Sequence, residues 1–147
     1  MAEDKKSTLL IVDDEHVNIN ILTHILEKDY TIHTASDGKS AVEKAKKILP
    51  DLILLDIVMP ETDGYETLIM LKNIEETKDI PVIFITGLNQ PEEEEKGLAL
   101  GAADYILKPF SAKIIKLRVE HQIQINDMRR IIKKLNKSDA AEFSQNT

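Results

Sequence analysis

Five polar side chains stand directly behind short apolar runs. Asp13 and Asp14 follow Thr8-Leu9-Leu10-Ile11-Val12, and Asp56 follows Asp51-Leu52-Ile53-Leu54-Leu55. Thr86 follows Pro81-Val82-Ile83-Phe84-Ile85, and Lys108 follows Asp104-Tyr105-Ile106-Leu107. Carboxylates gathered in one place repel one another and resist ionisation unless a cation intervenes. Ligands that are all oxygen, with no Cys or paired His, suit a hard ion. A small protein ligand set completed by water suits Mg2+ better than Ca2+. Lys108 and Thr86 add an ammonium and a hydroxyl donor. A divalent ion, a lysine, a hydroxyl and a spare carboxylate together can hold a phosphoryl group while a carboxylate attacks it in line. An aspartate can be that nucleophile and carry the group as an acyl phosphate.

These residues must be brought to one place by the elements between them. The apolar runs are four or five residues long, bounded by turn formers and apolar on both faces, as in strands of a parallel sheet covered on both sides. A weaker run, Tyr30-Thr31-Ile32-His33-Thr34, alternates and belongs nearer an edge. Helical spacing fills the gaps: Val17, Ile21, Leu22, Ile25 and Leu26; Ala41, Val42, Ala45 and Ile48; Tyr65, Leu68, Ile69 and Leu71. A fourth helix opens at Pro91, carries Glu92 to Glu95 where the helix dipole favours anions, and closes near Gly101. Five β-α repeats predict an α/β fold: a doubly wound, five-stranded parallel sheet with helices on both faces. Ligands bind such sheets beyond the carboxyl ends of the strands, where all five polar residues fall.

The fifth helix is predicted to start near Ser111 and to outrun the domain, because no Gly or Pro interrupts the chain through Asn136. Ile125, Met128, Ile132 and Leu135 form a short heptad-like stripe flanked by Arg129, Arg130, Lys133 and Lys134. It reads either as a solvated helix on its own domain or as a dimerising or signalling linker. The expected division is a domain at 7–122, an extended helix at 123–137 and a polar, frayed tail at 138–147.

Composition narrows the field. The chain has 147 residues, no Cys, and 26 acidic against 19 basic residues for a net charge of -7. A disulfide framework, a thiolate metal site and a cysteine nucleophile are excluded. An acidic chain is a poor general ligand for phosphate backbones, so no direct nucleic-acid binding is expected. No apolar run approaches the ~20 residues of a membrane span, and Met1 to Ser7 do not open a signal peptide. A cytoplasmic protein is expected. Asp37-Gly38-Lys39-Ser40 resembles the end of a phosphate-binding P-loop, but His33 stands where its first Gly belongs. Glu92 to Glu95 reads as a charged first turn, and the histidines at 16, 24, 33 and 121 lack zinc-site spacing.

In order along the chain come Ile11-Val12-Asp13-Asp14-Glu15, Leu54-Leu55-Asp56-Ile57-Val58-Met59-Pro60, Asp63-Gly64, Ile85-Thr86-Gly87, Gly101-Ala102-Ala103-Asp104-Tyr105 and Lys108-Pro109-Phe110. With these pieces the chain resembles the receiver domain of two-component response regulators, of the chemotaxis-regulator type. The resemblance implies a flavodoxin-like (βα)5 fold with strand order 2-1-3-4-5. It implies Asp56 as phosphoacceptor, and Mg2+ held by Asp14, Asp56 and the backbone carbonyl of Val58, with Asp13 acting through water. Lys108 would pair with the acceptor and then with a phosphoryl oxygen, and Thr86 would take another. Tyr105 would be a switch aromatic that turns inward when Thr86 moves, and Lys108-Pro109 a cis peptide. Val58 and Leu88 occupy the positions that tune phosphoryl lifetime in the family; both are apolar, so a long-lived group is expected.

The resemblance also implies partners: a sensor histidine kinase or phosphotransfer protein, and a second copy through helix four, strand five and the extended helix. Self-phosphorylation and slow autodephosphorylation would be the only catalysis. No output motif follows residue 122, which favours a receiver belonging to a larger protein over a stand-alone one that signals by docking. Two rivals remain: a pseudo-receiver, and a haloacid dehalogenase-type phosphatase, whose acid/base Asp two residues after the nucleophile is here Val58.

Overall fold

The computed structural model describes residues 6–145, with side chains to residue 138. Five strands alternate with five helices: β1 Thr8–Val12, α1 His16–Leu26, β2 Thr31–Ala35, α2 Gly38–Ile48, β3 Leu52–Leu55, α3 Gly64–Lys72, β4 Val82–Thr86, α4 Pro91–Ala99, β5 Asp104–Leu107 and α5 Ala112–Gln145. The sheet is parallel throughout, in the order β2-β1-β3-β4-β5. This is the flavodoxin-like arrangement expected, with the weak strand at an edge.

Strand periodicity divides the core in two. Leu10, Val12, Ile53, Leu55, Val82 and Phe84 point to one face, under Ala41 and Ala45 of α2 and Leu68 and Leu71 of α3. Leu9, Ile11, Leu52, Leu54, Ile83 and Ile85 point to the other, under Leu22 and Leu26 of α1 and Ile115 and Val119 of α5. Residues of the three central strands are therefore apolar in both registers, which is why those runs lack alternation.

Local signals set the helix starts. Asp37 caps α2, its carboxylate accepting the Ser40 N–H at 2.8 Å, so the P-loop-like tetrad is a helix cap. Asp63 and Glu66 form a reciprocal capping box on α3. Pro91 opens α4 with Glu92, Glu93 and Glu94 in its first turn. Gly64 is required by close approach: a Cβ there would lie 2.3 Å from the Asp56 carbonyl oxygen.

The fifth helix runs 34 residues, to Gln145. The polar tail expected from Ser138 onward is instead helical over 138–145. The segment lacks Gly and Pro and includes Ala140, Ala141, Glu142 and Gln145, so nothing stops a helix already formed. Ile115, Val119 and Ile123 anchor it in the core. Past them, Asn126 donates to the Asp51 carbonyl (3.3 Å) and Arg130 to the Asp51 carboxylate (2.6 Å). The same carboxylate accepts the Thr8 N–H at 2.7 Å, so Asp51 joins the starts of β1 and β3 to the helix. Met128, Ile131, Ile132 and Leu135 are all more than half exposed.

Candidate phosphoacceptor site

The strand ends carry the chemistry. Asp56 directly follows β3, and its N–H donates to the carbonyl of Val12 at the end of β1. Asp13 follows β1, and its N–H donates to the Ala35 carbonyl at the end of β2. The two carboxylates are buried, at 2% exposure for Asp13 and 6% for Asp56. Lys108 follows β5, its N–H tied to the Thr86 carbonyl at 2.8 Å, with a cis peptide to Pro109. Its ammonium donates to Asp13 Oδ2 at 3.0 Å and to Asp56 Oδ2 at 3.4 Å. The other Asp56 oxygen accepts the Ile57 N–H at 2.8 Å.

Burial pushes the Asp56 carboxyl up; Lys108 offsets part of this and the Asp13 charge adds to it. For Lys108, burial works against the charged form. The hydrogen bond to Asp13 and the charges of Asp56 and Asp13 prevail, and its affinity for the proton rises above the usual lysine value. The ammonium is therefore a fixed positive charge between the carboxylates.

Asp14 projects beside Asp13. Among the described residues, one oxygen from each of Asp13, Asp14 and Glu15 lie within 4.8 Å of one another. Asp56 lies outside that trio, linked to Asp13 by Lys108. Asp13, not Asp14, makes the local turn bond, accepting the Glu15 N–H at 3.0 Å. The donor chemistry fits a hard cation: carboxylate oxygens only, and one ammonium against the three charges of Asp13, Asp14 and Asp56.

Thr86 is fully buried at the end of β4, beside β3. Its hydroxyl oxygen accepts the Leu88 N–H at 3.3 Å. Tyr105 is buried, and its hydroxyl donates to the Leu88 carbonyl at 2.7 Å. Both residues expected to form the switch thus hold the same loop residue. Val58 is exposed (60%), whereas Leu88 is partly buried against the core.

Sequence reasoning gave Tyr65 only as a core position. Its hydroxyl lies 2.5 Å from the Glu93 carboxylate and 3.0 Å from the Glu93 carbonyl oxygen.

The family model of the response regulator receiver domain matches residues 9–120. The chain belongs to that family. It is a receiver domain of two-component signalling, with the fold that the strand order shows. Over 97% of its length it is 42% identical to a protein of Vibrio cholerae named as a probable cyclic di-GMP phosphodiesterase, covering 32% of that protein. It is 37% identical to histidine kinase P4 of Formosa agariphila over 88% of this chain and 9% of the kinase. It therefore spans a third or less of the length of these two relatives. Among solved structures, a putative response regulator from Chloroflexus aurantiacus aligns with a TM-score of 0.78 at 30% identity, covering 82% of this receiver and 99% of that chain. No helix among the described residues is long and apolar enough to cross a membrane.

Proposed function

We propose that this receiver is a Mg2+-dependent phosphoacceptor. The phosphoryl group passes from a phosphohistidine of a sensor histidine kinase or phosphotransfer protein to Asp56. The P–N bond of the donor breaks as a P–O bond to the Asp56 carboxylate forms, and the imidazole leaves with its electron pair and takes up a proton. The observation that carries this reading is the Lys108 ammonium hydrogen-bonded to Asp13 and Asp56 at once. That arrangement holds the acceptor carboxylate in place and keeps a positive charge where phosphoryl oxygens develop negative charge.

Asp14, Asp56 and the Val58 carbonyl would hold Mg2+, with Asp13 contributing through water. The ion would supply positive charge against the phosphoryl oxygens. Lys108 moves its hydrogen bonds to a phosphoryl oxygen, and Thr86 exchanges the Leu88 N–H for another. Tyr105, bonded to the Leu88 carbonyl, follows the loop. The Asp56 acyl phosphate persists because neither Val58 nor Leu88 can orient an attacking water.

The output we assign is a change in pairing between two copies of the chain through α4, β5 and α5, in the cytoplasm. The extended helix supports this. Arg130 and Lys133 face Asp51 and Asp79 of their own domain, at 2.6 and 3.8 Å, while Met128, Ile131 and Leu135 remain uncovered. The named activities of the relatives differ, so the output domain is assigned only as a helix-linked one.

The test is intact-mass spectrometry after treatment with phosphoramidate. The wild type is expected to gain one phosphoryl group with Mg2+ and none with a chelator, and Asp56→Asn none in either case. A wild type that gains nothing with Mg2+ would favour the pseudo-receiver reading. Light scattering with Mg2+ and beryllofluoride reads the pairing: a wild-type monomer that becomes a dimer supports it, and a mass unchanged by bound beryllofluoride favours docking to another protein.

A further inference from the structure

A cleft of about 730 Å3 lies at the opposite end of the sheet from Asp56. Its floor is formed where the strands begin: Pro50 before β3, Pro81 before β4, and Ala102 before β5. The length of β4, roughly 15 Å, separates this floor from Thr86. One wall is the end of α3 and the turn after it, which carry Lys72 and Lys78. The other wall is the extended helix. Asn126, Arg129, Arg130 and Lys133 recur there at helical spacing, on one face of α5. Met128, Ile131 and Leu135, the side chains offered for pairing, lie off that face.

Most charges of the cleft are already matched. Arg130 bonds Asp51 at 2.6 Å, Lys78 pairs with Glu75 at 3.1 Å, and Lys133 lies 3.8 Å from Asp79. Lys72 and Arg129 differ from these. Among the described residues, neither has a carboxylate within ion-pair distance. The Lys72 ammonium donates to the Lys78 carbonyl at 3.2 Å. Its stem lies along the turn before β5, with Cε 3.4 Å from where a Cβ on Gly101 would stand. Burial lowers the proton affinity of Lys72; Asp79 offsets part of this, and the charge of Arg129 adds to it. Two cations from different helices thus line one cleft and weigh on each other. Glu76 is the remaining acid of the lining, and it is exposed.

We infer that this cleft is a binding site for a small organic phosphate. The phosphate is held between Lys72 and Arg129, and the body of the ligand rests on Pro50, Pro81 and Ala102. A dianion answers two cations where a carboxylate would answer one, and the guanidinium adds paired donors to the point charge of the ammonium. The volume and the apolar floor with a few charged donors are those of a small-molecule site. A ligand held in this way joins α3 to the extended helix and stabilises the arrangement that binds it. The site is separate from Asp56 and does not depend on its role.

The test is heteronuclear NMR titration of the full chain with AMP and, separately, with inorganic phosphate, both with Mg2+ chelated. AMP supplies a phosphate and a flat ring for the floor. It is expected to shift the amides of Gly101, Ala102 and Ala103 and those of 126–133. Inorganic phosphate is expected to shift the same amides but to bind about tenfold more weakly, having no apolar surface to bury. Lys72→Met keeps the stem and removes the charge, and Arg129→Gln does the same on α5. Each is expected to weaken AMP binding roughly tenfold, the scale of one charge-assisted hydrogen bond at a partly exposed site. Amide exchange over 126–133 is expected to slow at saturating AMP. If Lys72→Met fails to fold, Arg129→Gln alone decides the outcome. No shift at these amides, equal affinity for AMP and inorganic phosphate, wild-type affinity in the variants, or unchanged exchange over 126–133 would overturn the proposal. Shifts confined to Asp13, Asp56 and Thr86 would place the anion at the phosphoacceptor site and overturn it as well.

Discussion

Lys108 holds Asp13 more closely than it holds Asp56, at 3.0 against 3.4 Å. The ammonium thus occupies the space between two buried carboxylates that the proposed metal ion would also draw upon. The lysine and the proposed ion would compete for the same negative charge. At an effective dielectric near 20, a unit charge some 6 Å from a divalent ion repels it by several kcal/mol. Lys108→Met is therefore expected to bind Mg2+ at least about tenfold more tightly than the wild type, while losing most of its phosphoryl transfer. Calorimetric titration with Mg2+ and the rate of transfer from phosphoramidate measure the two effects.

Gly64 is fixed by the backbone of the acceptor strand. A Cβ at this position would stand 2.3 Å from the Asp56 carbonyl and 2.7 Å from the Ile57 Cα, and backbone has no rotamer with which to yield. Gly64→Ala is expected to destabilise the domain by about 2–3 kcal/mol, the usual scale of overpacking. A urea titration of the metal-free protein reads this as a lower midpoint with an unchanged slope.

The extended helix is steered by one exposed ion pair on Asp51. Arg130→Ala removes the 2.6 Å contact but leaves the Asp51–Thr8 bond intact. An exposed pair contributes about 0.2–1 kcal/mol. Amide exchange over 126–138 is expected to quicken roughly twofold to fivefold, with β1 and β3 unchanged. Equal quickening in β1 would show that the effect is not confined to the helix.

Asp37 gives the clearest pH dependence. Its carboxylate is held below the usual range first by the Ser40 N–H and then by the Ser40 hydroxyl. The folded value lies below the unfolded one, so the cap stabilises α2 fully above the ordinary carboxylate range and is lost as pH falls through the folded value. Asp37→Ala is expected to cost about 1 kcal/mol at pH 7. That difference should shrink toward acid, read from urea midpoints across the carboxylate range.

Much of this site was legible because of where its residues stand. Asp13, Asp56, Thr86 and Lys108 each lie at or just after the end of a run buried on both faces, and a parallel sheet carries such ends to one edge. Their partners were less legible. Lys108 was expected on the acceptor and reaches it, but Asp13 lies nearer to the ammonium than Asp56 does. The Tyr65–Glu93 bond joins residues 28 apart on two helices, a pairing that no local spacing encodes. Asp51 looked like the polar start of a strand, and only the path of α5 across the start of β3 reveals its second role. The helix at 138–145 was hidden by polarity: helix propensity there is carried by Ala, Glu and Gln, which also suit a solvated tail.

The central claim is that Asp56, rather than Asp13 or Asp14, receives the phosphoryl group. Borohydride reduction of the protein after phosphoramidate treatment with Mg2+ converts an aspartyl phosphate to homoserine, and peptide sequencing by mass spectrometry locates it. The account predicts homoserine at position 56 alone, absent when Mg2+ is chelated. Homoserine at position 13 or 14, or none in protein shown to bind Mg2+, would contradict it.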